Sequence, residues 1–147
     1  MVHDLYQEII LDHSKRPRNC HAMEDANRKA EGYNPLCGDK LKLFLKLDEN
    51  DVVRDVSFVG SGCAISTASA SLMTESLKGK TRTEALQLLE KFHELLTTDT
   101  PVSQELGKLV VFCGVRDYPA RVKCATLAWH TLKSALTGAA AEPISTE

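Results

Sequence analysis

The five cysteines of this 147-residue chain are the side chains whose type most directly suggests chemistry. An odd number cannot all pair in disulfides, and thiols kept in a reducing compartment are typically metal ligands or reactive groups. Cys37, Cys63 and Cys124 lie where an element is expected to begin or the chain to turn. For Cys20, in a polar loop, and Cys113, in an apolar stretch, we favour an ordinary loop thiol and a core side chain.

Cys37 is followed by a second potential ligand, Asp39, in the run Asn-Pro-Leu-Cys-Gly-Asp of residues 34–39. If Gly38 turns the chain, the thiolate and the carboxylate point to the same side and offer one soft and one hard ligand to a single cation. The alternative is a loop thiol and a carboxylate that starts a strand or pairs with Lys40.

Cys63 and Cys124 are both predicted to lie in the first turns of helices. Unpaired N–H groups and the helix dipole stabilise a thiolate at a helix N-terminus, which is where Cys63 falls after the Gly-Ser-Gly of residues 60–62. Near Cys124, Arg121 and Lys123 favour the thiolate by their charge. The alternatives are a small buried hydrophobe at 63 and a packed helix-edge cysteine at 124.

Three such thiolates and one carboxylate would complete a tetrahedron around Zn²⁺, with the oxygen as the weaker corner. The five histidines form no pair at ligand spacing, so we expect His13 and His130 to be helix-face residues. Spacing alone leaves open whether the three cysteines meet.

Charge and hydropathy exclude several classes of function. Lys and Arg number 18 against 20 Asp and Glu, so the basic excess of a nucleic-acid-binding protein is missing. The longest uncharged run, residues 56–74, contains too many Ser and Thr for a good membrane span, and the N-terminus lacks the layout of a signal peptide. We therefore expect a soluble cytoplasmic protein that binds neither nucleic acid nor membrane.

The periodicity of apolar residues predicts a single α+β domain over residues 1–138, with 139–147 as a disordered tail. A small antiparallel β-sheet of about three strands is expected, with helices packed on one face. The first predicted helix ends at residues 16–19, and a break follows at 32–35. Two strands are predicted at 40–47 and 52–59, and residues 60–62 end the second. Helices are predicted at 64–73, at 83–96 with a Thr81–Glu84 capping box, at 104–111 after a loop at 97–102, and from about Pro119 to a Gly138 cap.

Taken in order, the cysteine motifs resemble the IscU/NifU-like family of iron–sulfur cluster assembly proteins, and within it the SufU branch. The resemblance covers about residues 5–136. It is carried by Asp-His-Ser-Lys-Arg-Pro-Arg-Asn at 12–19, the run at 34–39, Gly-Ser-Gly-Cys-Ala-Ile-Ser at 60–66 and Lys-Cys-Ala-Thr-Leu-Ala-Trp at 123–129. It implies a SufE/NifU-like fold and four metal ligands: Cys37, Asp39, Cys63 and Cys124.

Three departures from the scaffold branch of that family favour the SufU branch. The scaffold branch has His directly before its last Cys, where this chain has Lys123, and its Leu-Pro-Pro-Val-Lys stretch is not reproduced at residues 118–123. The segment between Cys63 and Cys124 is also longer. The SufU resemblance implies bound Zn²⁺ and a partnership with a SufS-type cysteine desulfurase, with sulfur then passed to downstream iron–sulfur scaffold proteins.

The resemblance also implies residue roles and leaves alternatives. Cys37 is the implied acceptor of persulfide sulfur. From their charge, Arg121 and Lys123 are expected to steer the anionic persulfide or the partner surface, the alternative being two solvated helix charges. The main rival function is a scaffold that assembles and transfers a [2Fe–2S] cluster, or binds iron, at the same four ligands. A purely structural zinc domain is a second rival, and a Cys-His hydrolase a distant third.

Overall fold

The computed structural model describes residues 2–35, 38–98, 104–137 and 144–145, and it confirms the α+β class. The disordered tail and the Gly138 cap predicted from the sequence lie outside these residues, apart from 144–145. In chain order the elements are α1 (Val2–Lys15), β1 (Arg28–Asn34), β2 (Asp39–Leu47), β3 (Val53–Ser61), α2 (Ala64–Leu77), α3 (Arg82–Thr97), a 3₁₀ segment (Gln104–Asp117), α4 (Pro119–Thr137) and β4 (Ile144–Ser145).

The alternating residues of β2 build the centre of the sheet. Its four leucines, at 41, 43, 45 and 47, are all buried, whereas Lys40 and Lys46 are exposed on the opposite face. Strands β1 and β3 pair with β2 in antiparallel register, and the two residues of β4 run parallel to β1. Because α4 packs on β1 and β2 and α2 packs on β3, the leucine side of the sheet lies under the helices.

Strand β1 corrects the predicted break at residues 32–35. Gly32 and Tyr33 lie inside the strand, and the chain leaves the sheet only after Asn34. A Cβ built at Gly32 would come within 2.1 Å of Thr131 Oγ1 on α4, so glycine is needed for close packing of the helix on the strand rather than for a turn. The residues around Gly32 in the sequence do not reveal this requirement, because the packing partner lies on α4.

Two other predicted boundaries also move. Strand β3 runs to Ser61, although Gly60 was expected to stop it. The helix expected at residues 104–111 continues to Asp117 as a 3₁₀ segment with a kink at Gly107. The loop predicted at 97–102 falls mostly outside the described residues. The capping box of Thr81 and Glu84 at the start of α3 is confirmed.

A buried polar contact fixes α2 against α4. The indole N–H of Trp129 donates to Ser69 Oγ at 3.2 Å, and the Ser69 hydroxyl donates to the carbonyl oxygen of Ala125 at 2.6 Å. The Trp129 ring also stacks on Phe92 of α3, with ring centroids 4.6 Å apart. Ser69 and Ala125 follow Cys63 and Cys124 along their respective helices, so this contact sets the spacing of the two helices that carry the cysteines.

The two histidines expected on helix faces lie at helix contacts. His13 is buried, and its Nδ1 lies 2.7 Å from Ser71 Oγ of α2. His130 is half-buried, with its ring centroid 6.2 Å from that of His93. In the described part of the chain, none of the helices has both the length and the hydrophobicity that a membrane crossing requires.

Acid is expected to destabilise the fold through His130. Burial lowers the pKa of His130 below its usual value, and the neighbouring His93 and Lys133 lower it further. The unfolded chain therefore binds more protons, and the free energy of unfolding should decline as the pH falls through about 6.5 towards the folded pKa. We expect His130→Gln to weaken this pH dependence in urea titrations, whereas a His21→Gln control at an exposed site keeps the parent slope. Equal slopes for parent and His130→Gln would contradict the prediction.

Candidate metal centre

Three elements bring two thiols and one carboxylate to a single point. Asp39 is the first residue of β2, Cys63 is the N-cap of α2, and Cys124 lies in the second turn of α4. One potential ligand atom from each side chain lies within 4.8 Å of the other two. Within the described residues, no other group of three His, Cys, Asp or Glu side chains converges in this way.

The Asp39 carboxylate is fully buried and is fixed by the chain around Cys63. Its Oδ1 accepts a hydrogen bond from the Cys63 backbone N–H at 2.8 Å, and its Oδ2 lies 3.8 Å from Cys63 Sγ. A Cβ built at Gly62 would lie 2.5 Å from Oδ1. Glycine at 62 therefore lets the backbone approach the carboxylate closely enough to donate to it.

Cys63 has the helix-terminal position that the sequence predicts. Its backbone is extended, and its Sγ accepts a hydrogen bond from the Ser66 N–H at 3.4 Å. An N–H aimed at the sulfur and the positive end of the helix dipole suit an anionic ligand. The side chain of Cys63 is half-buried rather than enclosed in the core.

Cys124 is more deeply placed than a helix edge would be. It is 2% exposed, and the side-chain amide Nδ2 of Asn34 lies 3.5 Å from its sulfur. The same Nδ2 lies 3.4 Å from Asp39 Oδ2, so one amide group contacts two of the converging side chains. Sequence reasoning missed Asn34, although it opens the same six-residue run as Cys37 and Asp39.

The donor set fits a soft, tetrahedral metal. A tetrahedral zinc with bonds of about 2.3 Å to sulfur keeps its ligand atoms roughly 3.8 Å apart. The distance between Asp39 Oδ2 and Cys63 Sγ is 3.8 Å, and the three groups lie within 4.8 Å of one another. Calcium and magnesium prefer oxygen ligands alone, whereas cysteine thiolates suit zinc and iron–sulfur clusters. The described residues would supply three of the four ligands of such a site.

Residues 5–136 match the family model of the NifU-like N-terminal domain. The chain belongs to this family. A relative named iron–sulfur cluster assembly scaffold protein IscU, from Streptococcus pyogenes serotype M1, is 43% identical over 92% of this chain and 84% of its own length. The zinc-dependent sulfurtransferase SufU of Bacillus subtilis is 42% identical over 88% of this chain and 87% of its own.

A solved structure of a protein named for iron–sulfur cluster assembly has the same fold as this chain. A Fervidobacterium islandicum AW-1 protein, assigned as a scaffold for the SUF system, superposes with a TM-score of 0.82 at 39% identity. The superposition covers 91% of this chain and 98% of the other. The fold expected from the resemblance, a small antiparallel sheet with helices packed on it, is confirmed.

The remaining predicted site residues of this NifU-like domain have different outcomes. Cys37 lies outside the described residues, so its approach to the other three stays a prediction. Arg121 is exposed, with its guanidinium 5.1 Å from the centroid of the Tyr118 ring. Cys20 is exposed and Cys113 is half-buried against the core, and neither belongs to the converging group.

Gly62→Ala should loosen the centre and destabilise the fold. The added methyl group would meet the Asp39 carboxylate, and overpacking of this kind costs about 1–3 kcal/mol. Gly114→Ala is the matched control, because no described atom outside the local backbone lies within 4 Å of a Cβ built there. Urea denaturation at matched metal content measures both variants. Parent-like stability of Gly62→Ala, or an equal loss in the control, would count against the close approach described above.

Proposed function

We propose that this protein is a zinc-containing sulfur acceptor that takes persulfide sulfur from a cysteine desulfurase and passes it on during iron–sulfur cluster assembly. The observation that carries the proposal is the convergence of Asp39, Cys63 and Cys124 within 4.8 Å of one another. Relatives named for sulfur transfer and for scaffolding are similar at nearly equal identity. The choice between the two roles therefore rests on the three departures from the scaffold branch: Lys123 in place of His, the absence of Leu-Pro-Pro-Val-Lys at residues 118–123, and the longer segment between Cys63 and Cys124.

Asp39, Cys63 and Cys124 would hold the zinc, with Cys37 as the fourth ligand. Zinc, when bound, would keep the thiols ionised and tie the three elements together without redox chemistry of its own. The hydrogen bond from the Cys63 N–H to Asp39 Oδ1 leaves Oδ2 to face Cys63 Sγ, 3.8 Å away. The three groups can thus hold the ion while Cys37 reacts.

Cys37 accepts the sulfur in the proposed reaction. Its thiolate attacks the outer sulfur of the desulfurase persulfide, forming a new S–S bond on Cys37. The S–S bond of the donor breaks, and the desulfurase cysteine leaves as a thiolate. The outer sulfur keeps its proton or charge, so the transfer needs no further oxidant or reductant.

Arg121 is proposed to attract the anionic persulfide or the surface that carries it. Its side chain is exposed and lies over the ring of Tyr118. Arg121 precedes Cys124 by about one turn of α4. A cation at this position raises the local concentration of an anionic partner. The expected partner is a SufS-type cysteine desulfurase in the cytoplasm, and the expected recipients of the sulfur are downstream iron–sulfur scaffold proteins.

Replacing the acceptor tests the proposal directly. Cys37→Ala should lose sulfur acceptance completely while retaining some zinc, because three ligands remain. The measurement is the mass gain of one sulfur atom per chain after incubation with cysteine and a SufS-type desulfurase. Cys20→Ala, which removes an exposed thiol outside the site, should accept sulfur like the parent. Full-rate acceptance by Cys37→Ala would show that the acceptor is another residue.

The alternative function is a scaffold on which a [2Fe–2S] cluster is assembled at the same ligands, and the relatives named IscU favour it. Purification without oxygen separates the two. A colourless protein with bound zinc and no labile sulfide is the expected result. A brown protein containing iron and labile sulfide would support the scaffold instead, and a zinc protein that accepts no sulfur would support a structural zinc domain.

A further inference from the structure

Asn34 is a polar side chain buried beside the candidate metal centre, and neither the ligand set nor the transfer step uses it. It is the last residue of β1 and is 0% exposed. Its Nδ2 lies 3.4 Å from Asp39 Oδ2 and 3.5 Å from Cys124 Sγ. Its Oδ1 is buried without a hydrogen-bond partner among the described residues. The amide therefore turns its donor, not its acceptor, towards the centre.

The orientation of this amide suits a centre whose ligands are anionic. A carboxylate and a thiolate both accept hydrogen bonds, and bonds to ionised acceptors are stronger than neutral ones. A buried acceptor left unpaired, as Oδ1 is here, costs free energy. The two contacts on the donor side offset that cost most fully when Asp39 and Cys124 both carry negative charge, as metal ligands do.

The backbone fixes where this side chain begins. Asn34 is paired with Asp39 in the antiparallel register of β1 and β2, so the two side chains project from directly opposite positions. Asn34 also precedes Pro35, which restricts it to extended conformations. The amide is thus held at the base of the β1–β2 connection, between one ligand on the sheet and one on α4.

We propose that Asn34 is a positioning residue for the metal centre. Its amide holds Asp39 Oδ2 and Cys124 Sγ at ligand spacing, and its N–H group hydrogen-bonds to the ligated sulfur. The inference rests on the proposed metal site but not on sulfur transfer. Groups that hydrogen-bond to ligands in this way typically change metal affinity by about 10- to 100-fold.

Asn34→Leu tests the role with little change of volume. The variant removes the unpaired acceptor but also a donor to the buried Asp39 carboxylate, so the metal-free protein should lose some stability while zinc affinity falls about 10- to 100-fold. Competition with a chromogenic chelator measures the affinity. Asn34→Ala, which removes the same amide without adding an apolar group, is the second variant in case Asn34→Leu does not fold.

Asn27→Ala is the control, because it removes an exposed asparagine whose side chain hydrogen-bonds to the backbone of β2. The Asn27 side chain donates to the Leu47 carbonyl oxygen at 2.7 Å and accepts from the Leu47 N–H at 2.9 Å. This variant should lower stability and leave zinc affinity at the parent value. If zinc affinity falls equally in the Asn27 and Asn34 variants, the loss follows from general destabilisation of the fold, and the proposal is overturned.

The absorption spectrum of the cobalt-substituted protein separates a hydrogen bond to the ligand sulfur from a merely structural role of Asn34. Loss of an N–H···S hydrogen bond raises the energy of the sulfur lone pair, so the sulfur-to-cobalt charge-transfer band should shift to longer wavelength in the Asn34 variants alone. An unchanged band and unchanged zinc affinity would overturn the proposal, as would a parent protein that retains no zinc. A parent that binds zinc but accepts no sulfur would defeat only the proposed function.

Discussion

The hydrogen bond from the Cys63 N–H to the Asp39 carboxylate is the contact on which the candidate centre depends. A buried carboxylate is costly unless donors or a cation satisfy it. Here the donors come from the chain that opens α2 and from the amide of Asn34. Because Gly62 lacks a Cβ, the backbone can reach the carboxylate without a clash. The anion is thereby held at the same point as two sulfur atoms.

The remainder of the fold brings distant residues to that point. Lys40 of β2 pairs with Ser61 of β3, so the start of one strand and the end of the other bring Asp39 and Cys63 together although 24 residues separate them. Helix α4 crosses β1 and β2 and carries Cys124 to the same edge. The buried contact of Ser69 with Ala125 then fixes the distance between the helices. A small sheet and two helices suffice to place three ligands.

Local pattern predicted most of the elements, and it failed where tertiary packing set the conformation. The alternating leucines of β2 and the capping box of Thr81 and Glu84 are local signals, and the structure confirms both. Strand β1 was missed because Gly32 looks like a break in isolation. Its actual role, space for Thr131 of α4, depends on a residue about 100 positions later. Register with a neighbouring strand can likewise extend a strand beyond a glycine, as at Gly60.

The sequence alone determined the chemistry available to this protein: thiols at the starts of helices, a carboxylate two residues after a loop cysteine, and an order of motifs typical of one family. Ligand type and helix-terminal position are local properties, so they can be read from neighbouring residues. Only the tertiary structure decided that Asp39, Cys63 and Cys124 meet and that the amide of Asn34 lies between two of them. Convergence depends on strand register and helix packing, which are set by contacts between residues far apart in the chain.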